Sequence, residues 1–113
     1  MLYLVRMKNL DSTTAELTPQ QLTQLTEQMV LPTLEMAMKL EADKKILAGG
    51  NPVGTRDVVF IIEAASNSGL DQFLTSLPLW GLSKTEVIPL ESFKSRTATT
   101  RKLLEKLKTM AEG

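Results

Sequence analysis

Glu86 is the one charged residue in the strand-like run Thr85-Glu86-Val87-Ile88-Pro89-Leu90. A lone carboxylate between apolar neighbours is suited to work as a general base, taking a proton from the carbon next to a carbonyl. An arginine within reach would stabilise the enolate that develops, or hold a substrate carboxylate. Arg6, in the run Leu2-Tyr3-Leu4-Val5-Arg6-Met7, is the matching residue. If the two runs are antiparallel neighbours with Leu4 facing Ile88, then Arg6 faces Glu86 and Leu2 faces Leu90. That register aligns charge with charge and apolar with apolar. It equally describes an ordinary cross-strand ion pair, which would contribute about 0.2–1 kcal/mol. Trp80, the only tryptophan, follows Leu77-Pro78-Leu79 and precedes Gly81. With Tyr3 it is a candidate wall for a pocket taking a flat apolar ligand. The alternative for Trp80 is an anchor at a subunit contact, where tryptophan is enriched.

The remaining chemistry is bounded by what the chain lacks. It has no cysteine and no histidine. Disulfides, thiolate catalysis and zinc–thiolate sites are therefore excluded, and so is the usual general base at neutral pH. No run of Asp and Glu has the spacing of an oxygen-ligated metal site, so no metal is expected. Glu63 and Asp57 share one face of a strand but lie roughly 20 Å apart along it, too far to work as a pair; solvated strand ends are the simpler reading. Gly49, Gly50 and Gly54 lack the spacing and the following helix of a phosphate cradle and read as a hairpin loop. Met29, Met36 and Met38 read chiefly as core packing. Thirteen basic residues balance thirteen acidic ones in 113 residues. The neutral sum provides no electrostatic reason to bind nucleic acid or an anionic membrane.

The elements that must position these residues can be traced in order. Leu2 to Met7 reads as a strand, and Lys8 to Ala15 as a polar loop. Thr18-Pro19-Gln20-Gln21 has the form of a helix start with a capping box. Leu22, Leu25, Met29, Met36 and Leu40 continue on one stripe to about Glu41, with a kink or break expected at Pro32. Lys45 to Ala48 and Arg56 to Ala65 read as strands. The apolar run Val58 to Ile62 in the latter points to burial on both faces. Ser68-Gly69-Leu70-Asp71 opens a second helix through Leu70, Phe73, Leu74 and Leu77, which Pro78 ends. A strand over Thr85 to Phe93, a polar hinge over Lys94 to Ala98 and a helix over Thr99 to Ala111 complete the chain. Leu103, Leu104, Leu107 and Met110 line one side of that last helix, and lysines the other. The order, βαββαβ plus a helix, is that of the ferredoxin-like α+β fold. Residues 1–93 form its domain and 94–113 a C-terminal amphipathic extension. With the helices covering one face of the sheet, a second copy of the chain is the simplest cover for the other.

The opening strand, Leu2 to Met7, resembles that of the muconolactone isomerases. Ser76-Leu77-Pro78-Leu79-Trp80, followed by Thr85 to Leu90, is similar to that family's second-helix exit and last strand. The likeness spans about residues 1–93. It implies a dimeric α+β barrel that assembles further through its sheets. It also implies isomerisation of a small unsaturated lactone or apolar organic acid by proton transfer, without metal or organic cofactor. Glu86 and Arg6 would then be catalytic, and Trp80 and Tyr3 would bind substrate. The chain departs from the family in having no histidine near Lys44-Lys45-Ile46-Leu47-Ala48-Gly49, a proline at position 32 and an added helix. The neutral surface, the missing histidine and the added helix suit a rival reading, an oligomeric barrel that binds a ligand or partner without chemistry; a cofactor-free monooxygenase has no specific mark here. The first residues do not read as a signal peptide, and no apolar run is long enough to span a bilayer, so the expected setting is the cytoplasm.

Overall fold

The structure, a computed structural model, describes residues 1–9 and 17–113. Most of the polar loop expected over 8–15 lies outside the described residues. Strand β1 (Leu2–Asn9) alternates as its sequence requires, with Tyr3, Val5 and Met7 buried on one face. Helix α1 (Pro19–Leu25) starts as predicted. Thr18 Oγ1 accepts the Gln21 N–H at 3.2 Å, and Gln21 Oε1 accepts the Thr18 N–H at 3.0 Å.

Pro32 does not break the helical run. A π-helical turn over Thr26–Val30 precedes helix α2 (Leu31–Ala42), and the Leu31 N–H bonds to the Thr26 carbonyl. The wider turn shifts the hydrogen-bond register just ahead of a residue that has no N–H to give. The end of α2 is closed by Lys44 in the left-handed region, φ 61°. Its N–H bonds to the Glu41 carbonyl at 3.1 Å, and the Lys45 N–H bonds to the Leu40 carbonyl at 2.9 Å. This is a Schellman closure with lysine where glycine is usual.

Strand β2 (Ile46–Gly50) extends two residues further than its sequence implied, taking in both glycines. A Cβ on Gly49 would sit 2.7 Å from Phe60 Cβ and from the Val59 carbonyl, so the close approach of β3 (Val58–Glu63) requires glycine there. Helix α3 (Asn67–Ser76) begins earlier than its motif indicated. Ser66 is the cap, accepting the Gly69 N–H at 3.0 Å. The residue before Pro78, Leu77, is extended and ends the helix, as expected. A 3-10 turn (Trp80–Leu82) leads into β4 (Ser83–Leu90).

The sheet order is β2-β3-β1-β4, with antiparallel neighbours throughout, which is the ferredoxin-like arrangement. The core lies between the helix layer and the sheet. Val5, Met7, Phe60 and Ile62 pack there with Leu70, Leu74, Leu77 and Leu79, and the Phe60 and Phe73 rings meet edge to face at 6.3 Å. Thr33, buried in α2, accepts the Leu79 N–H at 3.2 Å and so ties that helix to the segment carrying Trp80.

Helix α4 (Phe93–Glu112) differs most from expectation. There is no hinge over Lys94 to Ala98. Ser92 caps the helix by accepting the Ser95 N–H at 3.1 Å, and those residues are helical. Each of its 20 residues is exposed. The helix stands off the domain, giving extents of 71 × 30 × 25 Å.

Candidate active site

The register of β1 against β4 places the charged residues. Leu4 lies opposite Ile88, Arg6 opposite Glu86 and Leu2 opposite Leu90. Arg6 and Glu86 are thus cross-strand neighbours, with Cβ atoms about 4.5–5.5 Å apart, on the face of the sheet that carries no helix. That face has two halves. Leu2, Leu4, Ile61, Ile88 and Leu90 make one end largely apolar, with Glu63 opposite Leu2 at its edge, while Arg6, Lys8, Lys84 and Glu86 make the other largely charged, with Val59 opposite Arg6.

The carboxylate that holds Arg6 is Asp57, not Glu86. Asp57 Oδ2 lies 3.6 Å from an Arg6 guanidinium nitrogen, and the two side chains are 13% and 46% exposed. Asp57 Oδ1 also accepts the Asn9 N–H at 3.0 Å. Asp57 is therefore a fixed, largely buried group rather than the solvated strand end its position implied. Arg6 keeps guanidinium donors free of that contact, because one carboxylate oxygen engages one of its nitrogens. Glu86 is exposed.

Lys8 lies directly opposite Lys84. Like charges facing each other across strands are unfavourable unless an anion lies between or beside them. With Arg6 next in line, this end of the sheet offers three cations to a bound carboxylate and one exposed carboxylate to act on what is bound. Neither lysine was singled out from the sequence. The signal was present, since the register that pairs Arg6 with Glu86 pairs Lys8 with Lys84 two residues on.

The two aromatic candidates part company. Trp80 is 44% exposed, on the turn that precedes Ser83, the β4 residue paired with Asn9. It is thus at the charged end of the sheet. Tyr3 is on the other face. It is 2% exposed, and its hydroxyl donates to Asn67 Oδ1 at 2.6 Å. With Asn67, Asp71, Val87 and Pro89 it lines a groove of about 210 Å³ between α3 and the β4 edge. Residues 3 and 6 of one strand must point to opposite faces, so Tyr3 does not share a single-chain pocket with Arg6 and Glu86.

A four-stranded sheet in ferredoxin-like order with its helices on one face defines a class of small α+β domains. Within that class, this chain belongs to the muconolactone delta-isomerase family, whose model matches residues 1–96. The fold is similar to the crystal structure of muconolactone isomerase, with a TM-score of 0.65 and 24% identity over 84% of this chain and 93% of that one. It is also similar to 5-chloro-2-hydroxyhydroquinone dehydrochlorinase from Burkholderia phenoliruptrix, solved in complex with 2,5-dihydroxybenzoquinone. There the TM-score is 0.59, with 24% identity over 83% of this chain and 97% of that one. Among curated protein sequences, none matches. Helix α4 lies almost wholly beyond the family match.

Proposed function

We propose that the chain is a small-molecule isomerase that moves a proton within an unsaturated lactone or related cyclic acid, without metal or organic cofactor. The observation that carries this reading is the register-matched pair Arg6 and Glu86, beside Lys8 and Lys84, on the open face of a muconolactone delta-isomerase family sheet. Glu86 takes a proton from the carbon at the far end of the conjugated double bond, γ to the lactone carbonyl. The carbonyl oxygen gains charge as the double bond shifts, and the free donors of Arg6 stabilise it. The Glu86 carboxylic acid then returns the proton at the carbon next to the carbonyl, so substrate and product differ only in where one hydrogen and one double bond lie. Lys8 and Lys84 hold the substrate carboxylate. Trp80 flanks the charged end of the site. Tyr3, with Asn67, supports the strand from the helix side and contacts substrate only through a groove on that side.

In this reading the open apolar half, Leu2, Leu4, Ile61, Ile88 and Leu90, is covered by a second copy, giving a homodimer or larger homo-oligomer that closes the site away from water. No helix among the described residues is long and apolar enough to cross a membrane, and a cytoplasmic setting belongs to the same proposal. One observation favours the rival, a binding protein without chemistry: Asp57 already holds Arg6. Incubation with muconolactone, followed by ultraviolet absorbance, decides between them. Conversion that Glu86→Gln abolishes supports the isomerase; binding without conversion in the unsubstituted chain supports the rival.

A further inference from the structure

The apolar stripe of α4 has no cover among the described residues of its own chain. Leu103, Leu104 and Leu107 are about half exposed and Met110 more so. At 100° per residue they share one side of the helix, with Lys106 at one margin and Arg101 and Lys108 at the other. From residue 93 on, six Lys and Arg stand against two Glu, a net of +4. The whole chain sums to zero, so residues 1–92, with seven basic and eleven acidic residues, carry −4. The neutral total conceals a basic helix on an acidic domain.

The domain offers a complementary surface on α2. Leu31, Leu34 and Met38 lie along one side of that helix, with Glu41 at one margin and Glu35 at the other. Leu31 is 46% exposed and Met38 71%. Leu34, Met38 and Glu41 line a groove of about 320 Å³ against Ile46 and Val58 at the β2–β3 edge. The stretches Leu103 to Met110 and Leu31 to Met38 each span about 10 Å of helix, so the apolar stripes match in length and their margins are opposite in charge.

A chain does not bring its own α4 to this groove in the structure. The helix leaves β4, the edge strand farthest from β2, about 14 Å across the sheet at 4.7–4.9 Å per strand. Only Glu91 and Ser92 separate β4 from α4, and Ser92 is engaged as its cap. We infer that α4 docks in trans, its leucine stripe seated on the acidic-margined α2 groove of a second copy of this chain. The contact is separate from the sheet face and does not rest on the isomerase reading.

The chain has no cysteine, which makes a crosslinking test clean. Full-length Leu107→Cys and Met38→Cys variants are mixed and oxidised, with Val53→Cys, on the fully exposed β2–β3 loop, replacing Met38→Cys as the collision control. The expected result is a disulfide-linked heterodimer well above that control. Its yield should fall as salt rises from about 0.1 M to 1 M and the screening length contracts from about 10 to 3 Å. Four results would overturn the proposal. Leu107→Cys alone could crosslink as well as the mixture, meaning α4 pairs with α4. The Met38→Cys/Leu107→Cys double variant could close within one chain at high dilution. The mixture could yield no dimer above the control. Or it could yield none while the unsubstituted chain co-sediments with anionic phospholipid vesicles, reassigning the helix to a membrane surface.

Discussion

At the scale of residues, the proposed chemistry rests on four side chains of the open sheet face. Replacing Glu86 by Gln keeps the shape and removes the base, so turnover of an accepted lactone should fall about 10²- to 10⁴-fold with little change in KM. Lys84→Met should act on the other kinetic constant. It relieves the repulsion with Lys8 and weakens the hold on a substrate carboxylate, so KM rises while kcat changes little; steady-state kinetics on both variants check the split. Gly49→Val tests packing instead. Its branched side chain meets Phe60 and the Val59 backbone, and chemical denaturation should show a loss of about 1–3 kcal/mol. The pairing of Arg6 with Glu86 was legible from sequence because two apolar matches, Leu4 with Ile88 and Leu2 with Leu90, specify the register. The position of Tyr3 on the opposite face was equally legible from strand alternation, because residues 3 and 6 are an odd number of steps apart. The hold of Asp57 on Arg6 was not legible. Asp57 precedes β3, and only the pairing of β3 with β1 carries it to Arg6.

At the scale of elements, the caps show how local signals are read and where they fail. Thr18 and Gln21 form the box their spacing implies, because both partners lie within one turn. The second cap fell to Ser66 rather than Ser68, since more than one serine could serve and the docking of Leu70 and Leu74 into the core sets where the helix must begin. The Schellman closure of α2 makes a direct prediction. Lys44 occupies a left-handed conformation that carries a steric cost for any residue with a Cβ. Lys44→Gly should therefore raise stability by about 1 kcal/mol, read as a higher denaturant midpoint at unchanged slope. Thr33→Val should do the reverse. It keeps the volume but leaves the buried Leu79 N–H without its acceptor, at a cost of about 1–3 kcal/mol. Because that bond anchors the turn before β4, Trp80 fluorescence should change with it.

At the scale of the whole molecule, three apolar surfaces are open among the described residues: the sheet face, the stripe of α4 and the α2 groove. The radius of gyration, 19.3 Å, exceeds the roughly 13 Å of a compact domain near this size, and the projecting α4 accounts for the long axis. A chain with this much uncovered apolar surface should not be a monomer. Light scattering at micromolar concentration should give a dimer or larger, and a clean monomer there would defeat both the closed-site reading and the trans docking of α4.

The elements, their order and the charged pair followed from sequence because each rests on near neighbours: alternation in strands, helical spacing, a proline stop and a capping box. The ferredoxin-like order is a consequence of six such elements with short connections. What depended on the folded chain were contacts between segments far apart in sequence. Asp57 reaches Arg6, Thr33 reaches Leu79, and Lys8 meets Lys84. The π turn absorbs Pro32 without breaking the helix. Most of all, α4 stands clear of the domain. Its amphipathic pattern demanded a partner surface, but no pattern within one helix can say on which side of the chain, or on which copy, that surface lies.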